Sequence, residues 1–353
     1  MKKRRIIRHI PILLLCLSLS ACSAGASTDS SQGSSYSGMD YLEAGDYKTA
    51  KESFQTQIDS GSGLEDAYRG LGLACMGLGD YESAATALES ALDAAGAFPG
   101  TKEYDINYYL GTCYYKLAKY DKALEVYDAI VNLRPRDADA YVLRGTVKAA
   151  QGDTAGMESD YRTAIDLAPT DYDRIEQIYE KMAEAGDEET AKTYISDVLQ
   201  SQADAIDDYN AGRLAYCIGD YSTAKSHLEN ISTNRTYEVT ILLGRTYEAL
   251  GDFNYAISVY QGFLDSDQTH AEVYNQLGLC QLQMGNYQDA LTAFQNGLSV
   301  GESEITQSLQ FNQIVAYEYL GDFSKAKVLM EDYLKSYPGD ENAKREETFL
   351  ATR

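Results

Sequence analysis

A glycine returns along this 353-residue chain at a nearly constant interval. It stands at Gly45, Gly79, Gly152, Gly186, Gly219, Gly251, Gly285 and Gly321, with Ala118 taking its place once, and the successive spacings are 34, 39, 34, 34, 33, 32, 34 and 36. Two residues later comes an aromatic in seven of nine cases, and three further on an alanine in eight of nine. Seven residues before it lies a second glycine in seven of nine: Gly38, Gly72, Gly111, Gly145, Gly212, Gly244 and Gly278. A period near 34 predicts two-helix units stacked side by side, each too small to bury its own apolar face.

These positions share one physical cause. Two antiparallel helices joined by a short turn pack closely only where their crossing point carries little side chain. Glycine at the turn tolerates the left-handed conformation that ends a helix. The aromatic and the next large residue (Phe54, Tyr127, Tyr260, Phe294) are expected to fill the space between neighbouring repeats. Pro135, Pro169 and Pro338 are expected to stop second helices.

The pattern GDYKTAKESF at 45–54, repeated in register nine times, resembles the tetratricopeptide repeat family over roughly residues 31–340. The resemblance implies an all-α, right-handed α-solenoid of about nine helix-turn-helix repeats, with the solenoid proper at 39–340 and a polar C-terminal cap at 341–353. The first repeat has a shortened first helix. In the fourth, Thr154 and Met157 replace the aromatic and the alanine; in the fifth, Tyr179 and Glu188 replace the upstream glycine and the aromatic. Stacking is therefore expected to be less uniform between 140 and 205.

The chain begins MKKRRIIRHIPILLLCLSLSAC: a basic start, a short apolar run, then small residues, which is the layout of an export signal rather than of a membrane span. Leu19-Ser20-Ala21-Cys22 resembles the lipobox of bacterial lipoproteins. By that resemblance residues 1–21 are a lipoprotein signal peptide and Cys22 is the lipidated N-terminus of the mature chain. A diacylglyceryl group supplies the two acyl chains that stable anchoring needs, at about 0.8 kcal/mol per buried methylene. Residues 22–38 then read as the lipidated cysteine followed by a flexible Ser/Gly linker, able to hold the folded part roughly 20 Å from the lipid surface. The expected location is outside the cytoplasm, on the outer side of a bacterial cytoplasmic membrane or in the envelope.

Charge narrows the partners. The full chain carries a formal −24, and loss of Lys2, Lys3, Arg4, Arg5 and Arg8 with the signal takes it to about −29. Such a surface repels polyphosphate and argues against nucleic acid; basic envelope proteins or peptides fit it better. Cys75, Cys113, Cys217 and Cys280 each sit in an apolar helical pattern and are expected to be small buried thiols.

Chemistry is sparse. His227 and His270 lie far apart, no nucleophile-elbow, zinc-protease or phosphate-loop motif occurs, and the glycines of GLGLACMGLGD at 70–80 are accounted for by helix crossing and turn. No enzyme activity, cofactor or metal is expected. A surface remains. In the family that this chain resembles, first helices line a concave groove, and positions three and four apart share that face. The carry-over names Arg69, Leu73 and Met76; Tyr108, Thr112 and Tyr115; Tyr209, Arg213 and Tyr216; Ile241 and Arg245; and then Leu279, Leu282, Phe311 and Val315. Of these, Arg69, Tyr108, Tyr115, Tyr209, Arg213, Tyr216 and Arg245 are the candidate partner-binding residues, because Tyr and Arg most often anchor interfaces. Asp66, Asp105, Asp139, Asp173, Glu238 and Glu272 recur in the first turn of first helices. They read either as a ladder facing a basic ligand or, the reading preferred, as acids favoured by the helix dipole. The expected function is a membrane-anchored, non-catalytic scaffold that binds extended peptides or helices along its groove; the alternative is a carrier that captures a small glycan or peptide.

Overall fold

A computed structural model describes residues 37–95, 100–233 and 235–353. The signal, Cys22, most of the linker and the Ala97-Phe98-Pro99 insertion lie outside the described residues. Within them the chain forms nineteen helices and no strand. In order these are α1 (Gly38–Glu43), α2 (Tyr47–Asp59), α3 (Leu64–Gly77), α4 (Tyr81–Ala94), α5 (Thr101–Lys116), α6 (Tyr120–Leu133), α7 (Ala138–Gln151), α8 (Thr154–Leu167), α9 (Tyr172–Glu184) and α10 (Glu188–Ser201). They continue as α11 (Asp208–Cys217), α12 (Tyr221–Asn230), α13 (Tyr237–Leu250), α14 (Phe253–Leu264), α15 (Ala271–Met284), α16 (Tyr287–Ser299), α17 (Thr306–Leu320), α18 (Phe323–Ser336) and α19 (Glu341–Leu350). Odd-numbered helices up to α17 are the first helices of nine repeats and even-numbered ones the second. The fold is an all-α solenoid of such repeats, divided into two compact units, 37–198 and 199–353. The division falls inside the 140–205 stretch where the repeat pattern weakens.

Each turn is built from three consecutive residues. At Gly251 the chain takes φ +81°, and the two closing hydrogen bonds run from Gly251 N–H to the Glu248 carbonyl (3.0 Å) and from Asp252 N–H to the Tyr247 carbonyl (2.8 Å). That pair of bonds is the helix-ending motif that a left-handed residue permits. Where the series has Ala118 instead, the backbone still goes to φ 55°, so the turn geometry persists against the Cβ penalty. The next residue starts the second helix: Asp46, Asp80, Asp153, Asp220 and Asp322 each accept a backbone N–H three residues on, at 2.9–3.1 Å. The recurrent acid after the glycine is thus an N-cap, which satisfies one of the helix's orphan donors.

The crossing glycines receive a plug. A Cβ on Gly72 would come within 2.7 Å of Leu88, on Gly111 within 2.6 Å of Tyr127, on Gly145 within 2.8 Å of Tyr161 and on Gly212 within 2.6 Å of Leu228. Gly244 faces Tyr260 and Gly278 faces Phe294 in the same way. Plug and glycine are sixteen residues apart within one repeat. This corrects the expectation that Tyr127, Tyr260 and Phe294 fill the space between repeats: they close their own hairpin first. Phe54 does both, covering Gly38 of its own repeat and Gly70 of the next. Of the aromatics after the turn, Tyr47 lies against Gly77 and Tyr287 stacks on Tyr319 at 4.8 Å, each reaching the next repeat.

Second helices α6, α8 and α18 end two residues before Pro135, Pro169 and Pro338. After the last of these, α19 lays Ala343 and Leu350, both fully buried, on Ala326, Met330 and Tyr333. Its remaining face is polar and closes that end of the stack.

Candidate functional site

First helices lie against first helices: α1 with α3, α3 with α5 and α5 with α7 in one unit, α11 with α13 and α15 with α17 in the other. The residues expected to line a groove belong to these helices, and each unit holds its own set.

In the unit 37–198, Arg69 donates to Asp105 of the next first helix through Nε at 2.7 Å and through Nη2, and its guanidinium lies 5.8 Å from the Tyr109 ring. Tyr108 packs at 6.5 Å from Tyr127. Its hydroxyl is buried without a hydrogen bond of good geometry; burial first, and the Asp137 carboxylate second, push its pKa up. Tyr115 tilts against Tyr120 at 6.0 Å. In the unit 199–353, Arg213 sits over the Tyr209 ring at 5.8 Å, and Tyr216 packs on Tyr221 at 5.3 Å. Arg245 donates to Glu272 at 2.5 Å, and Tyr237 donates to the other oxygen of the same carboxylate. Burial and that carboxylate raise the Tyr237 pKa. With its amide turned oxygen-first, Gln276 also accepts from Arg245 Nε and Nη2, each at 3.2 Å. All seven candidates are half-buried. Ile241, Leu279, Leu282 and Phe311, by contrast, are buried in the hydrophobic clusters and are core, because the inner edge of a first helix also packs on its neighbours.

Four of the six first-turn acids also pair with a cation of a neighbouring first helix. Asp66 pairs with Lys102 at 2.7 Å, Asp105 with Arg69, Asp139 with Arg174 at 2.7 Å and Glu272 with Arg245 at 2.5 Å. Each partner lies one repeat away. These acids are rungs that tie adjacent first helices together, partly exposed and so worth about 1 kcal/mol or less apiece.

Two polar groups were not foreseen from the sequence. Asn312 Nδ2 donates to Asn275 Oδ1 at 2.9 Å with both residues buried, joining α15 to α17; Asn275 occupies the same repeat position as Arg69, Tyr108 and Tyr209, which was the available signal. In the fourth repeat Asp160, 2% exposed, accepts from Arg144 Nε (2.9 Å) and Nη2 (2.6 Å) and from Lys148 (2.8 Å), while Arg144 Nη1 reaches Asp128 at 2.7 Å. Among the described residues no three His, Cys, Asp or Glu side chains come together as a metal set. Cys75, Cys113 and Cys280 are buried and Cys217 is half-buried; burial pushes the Cys113 thiol up to about 12.

Family models described as tetratricopeptide repeat match residues 76–145, 37–100 with 241–298, 308–340, and 138–171. Among characterised proteins the chain is similar to the Protein CTR9 homolog of Arabidopsis thaliana, 23% identical over 308 residues. That match takes in 86% of this chain and 25% of the other, so the chain spans a quarter of that relative's length. Among solved structures it is similar to a tetratricopeptide repeat protein from Parabacteroides merdae, with 16% identity, 72% of this chain, 98% of that chain and a TM-score of 0.42. It is also similar to MamA 41-end from Desulfovibrio magneticus RS-1, with 21% identity, 48% of this chain, 92% of that chain and a TM-score of 0.40.

Proposed function

Because this chain is a tetratricopeptide-repeat protein, we propose that it is a protein-protein interaction scaffold, exported and held on the outer side of a bacterial cytoplasmic membrane or in the envelope by lipid on Cys22. Its ligands are extended peptides or helices of other envelope proteins, laid along the first-helix face. The observation that carries this reading is that these Tyr and Arg side chains of the first helices, Arg69, Tyr108 and Tyr115 in one unit and Tyr209, Arg213, Tyr216 and Arg245 in the other, are half-buried and not part of the core. Such side chains are amphipathic and already ordered by packing, so a partner recruits them at little entropic cost. The rungs between Asp105 and Arg69 and between Glu272 and Arg245 fix the spacing of adjacent first helices and hold the two arginines in place.

The test is capture of partners from the envelope by in-cell crosslinking and mass spectrometry, with the chain carrying Tyr108→Ala, Tyr115→Ala, Tyr209→Ala and Arg213→Ala together. Loss of specific partners with helical circular dichroism unchanged is expected; partners captured at undiminished yield would remove the groove. A Cys22→Ser chain that still incorporates labelled fatty acid would remove the anchor.

A further inference from the structure

Helices in each repeat run antiparallel, so every turn between a first and a second helix falls on one edge of its unit. On that edge the unit 199–353 differs from the other. The residue before the turn glycine is Ile218, Leu250, Met284 and Leu320 in four successive repeats, and the last three are 37%, 41% and 39% exposed. In the unit 37–198 the same position reads Ala44, Leu78, Leu117, Gln151 and Ala185, so that Leu78, itself 47% exposed, belongs to a row broken by alanines and a glutamine. Two tyrosines extend the apolar row, and neither is loose. Tyr255, 62% exposed, stacks on Tyr247 at 5.3 Å and 16°, and Tyr319, 42% exposed, stacks on Tyr287 at 4.8 Å and 13°.

Beside this row stand acids. Asp220, Asp252, Asp289 and Asp322 occupy the start of the four second helices, all exposed, and none is in an ion pair among the described residues. The only lysine or arginine in these first turns is Lys325. The edge therefore presents an apolar residue and a carboxylate together, once per repeat. Neighbouring repeats are spaced by about 10 Å, the separation of packed helices, and seven residues of α-helix rise by about the same distance.

We propose that this edge is a second docking surface, distinct from the first-helix face, for a cationic amphipathic helix of a partner protein. The apolar side of that helix lies along Leu250, Met284 and Leu320 with Tyr255 and Tyr319 beside it, and its lysines or arginines meet the row of carboxylates. Four repeats span about 30 Å, a helix of about 20 residues. The charge match selects the partner: an acidic helix is repelled, and so is an anionic bilayer.

The probe is a labelled synthetic helix of about 20 leucines and lysines, leucines on one face, titrated by fluorescence anisotropy against the folded chain. Leu250→Ser, Met284→Ser and Leu320→Ser together should weaken binding about tenfold or more, and so should Asp220→Asn, Asp252→Asn and Asp322→Asn, because asparagine keeps the N-cap and removes only the charge. The Tyr108→Ala, Tyr115→Ala, Tyr209→Ala, Arg213→Ala chain should bind as before. Equal binding of a peptide with the leucines scrambled, or loss of affinity only in the groove variant, would overturn the proposal. Unchanged affinity in the Asp→Asn chain would do so even where the serine variant fails to fold.

Discussion

Arg144 holds Asp160 by two parallel hydrogen bonds across the fourth hairpin, at 2.9 and 2.6 Å, at the positions where the second repeat carries Leu71 and Ala87 and the eighth Leu277 and Ala293. A charged pair has replaced an apolar one at both ends of the same contact. Removing one partner leaves the other buried without its counter-charge, whereas replacing both by hydrocarbon is often neutral or better. Arg144→Ala should therefore cost about 3 kcal/mol, a little less than an isolated pair because Lys148 still reaches Asp160. The double change Arg144→Leu with Asp160→Ala should recover most of the loss. Urea melts of the three chains decide; a double variant no more stable than the single one defeats the argument.

Glycines inside helices should respond in opposite directions according to what faces them. Gly111 meets Tyr127, so Gly111→Ala should lose about 1–2 kcal/mol to overpacking despite alanine's better helix propensity. At Gly262 in α14 nothing lies within 4 Å of the place a Cβ would take, and Gly262→Ala should gain about 1 kcal/mol. Thermal melts of the two variants should shift to opposite sides of the parent; shifts of the same sign would dismiss the plug-and-glycine account.

Alkali should unfold the protein through its buried phenols. Burial is the first cause raising Tyr161, to about 12, and it raises Tyr127 and Tyr260 as well, with Glu248 adding to the effect on Tyr260. A folded-state pKa above the unfolded value near 10 means stability that is complete below about pH 10 and drains away as pH climbs through the folded values. Part of the tyrosinate absorbance should appear only as helical circular dichroism disappears. Full tyrosinate formation with the helices intact would contradict the burial.

How much of the molecule is legible in its sequence follows from the physics of each position. The turn at Gly251 is legible because a single backbone conformation selects a single residue type, and even Ala118 obeys it. The plugs are legible as large residues but not as to the gap they fill, since spacing says that a residue is buried and not which of two cavities takes it. Asp105 and Arg69 fall on the correct helices by pattern alone, yet nothing within one repeat says that they turn toward each other. An offset of 36 residues, one repeat and a little more, is what pairs them, as it does Asp66 and Lys102. Arg144 and Asp160 escape because periodic patterns draw attention to what recurs, and this pair is where the recurrence fails.

The glycine and the side chain that fills it sit sixteen positions apart on one stretch of chain. A gene segment encoding one hairpin therefore carries lock and key together. Duplicating or deleting such a segment leaves the crossing inside each remaining hairpin filled, so the number of units is free to drift.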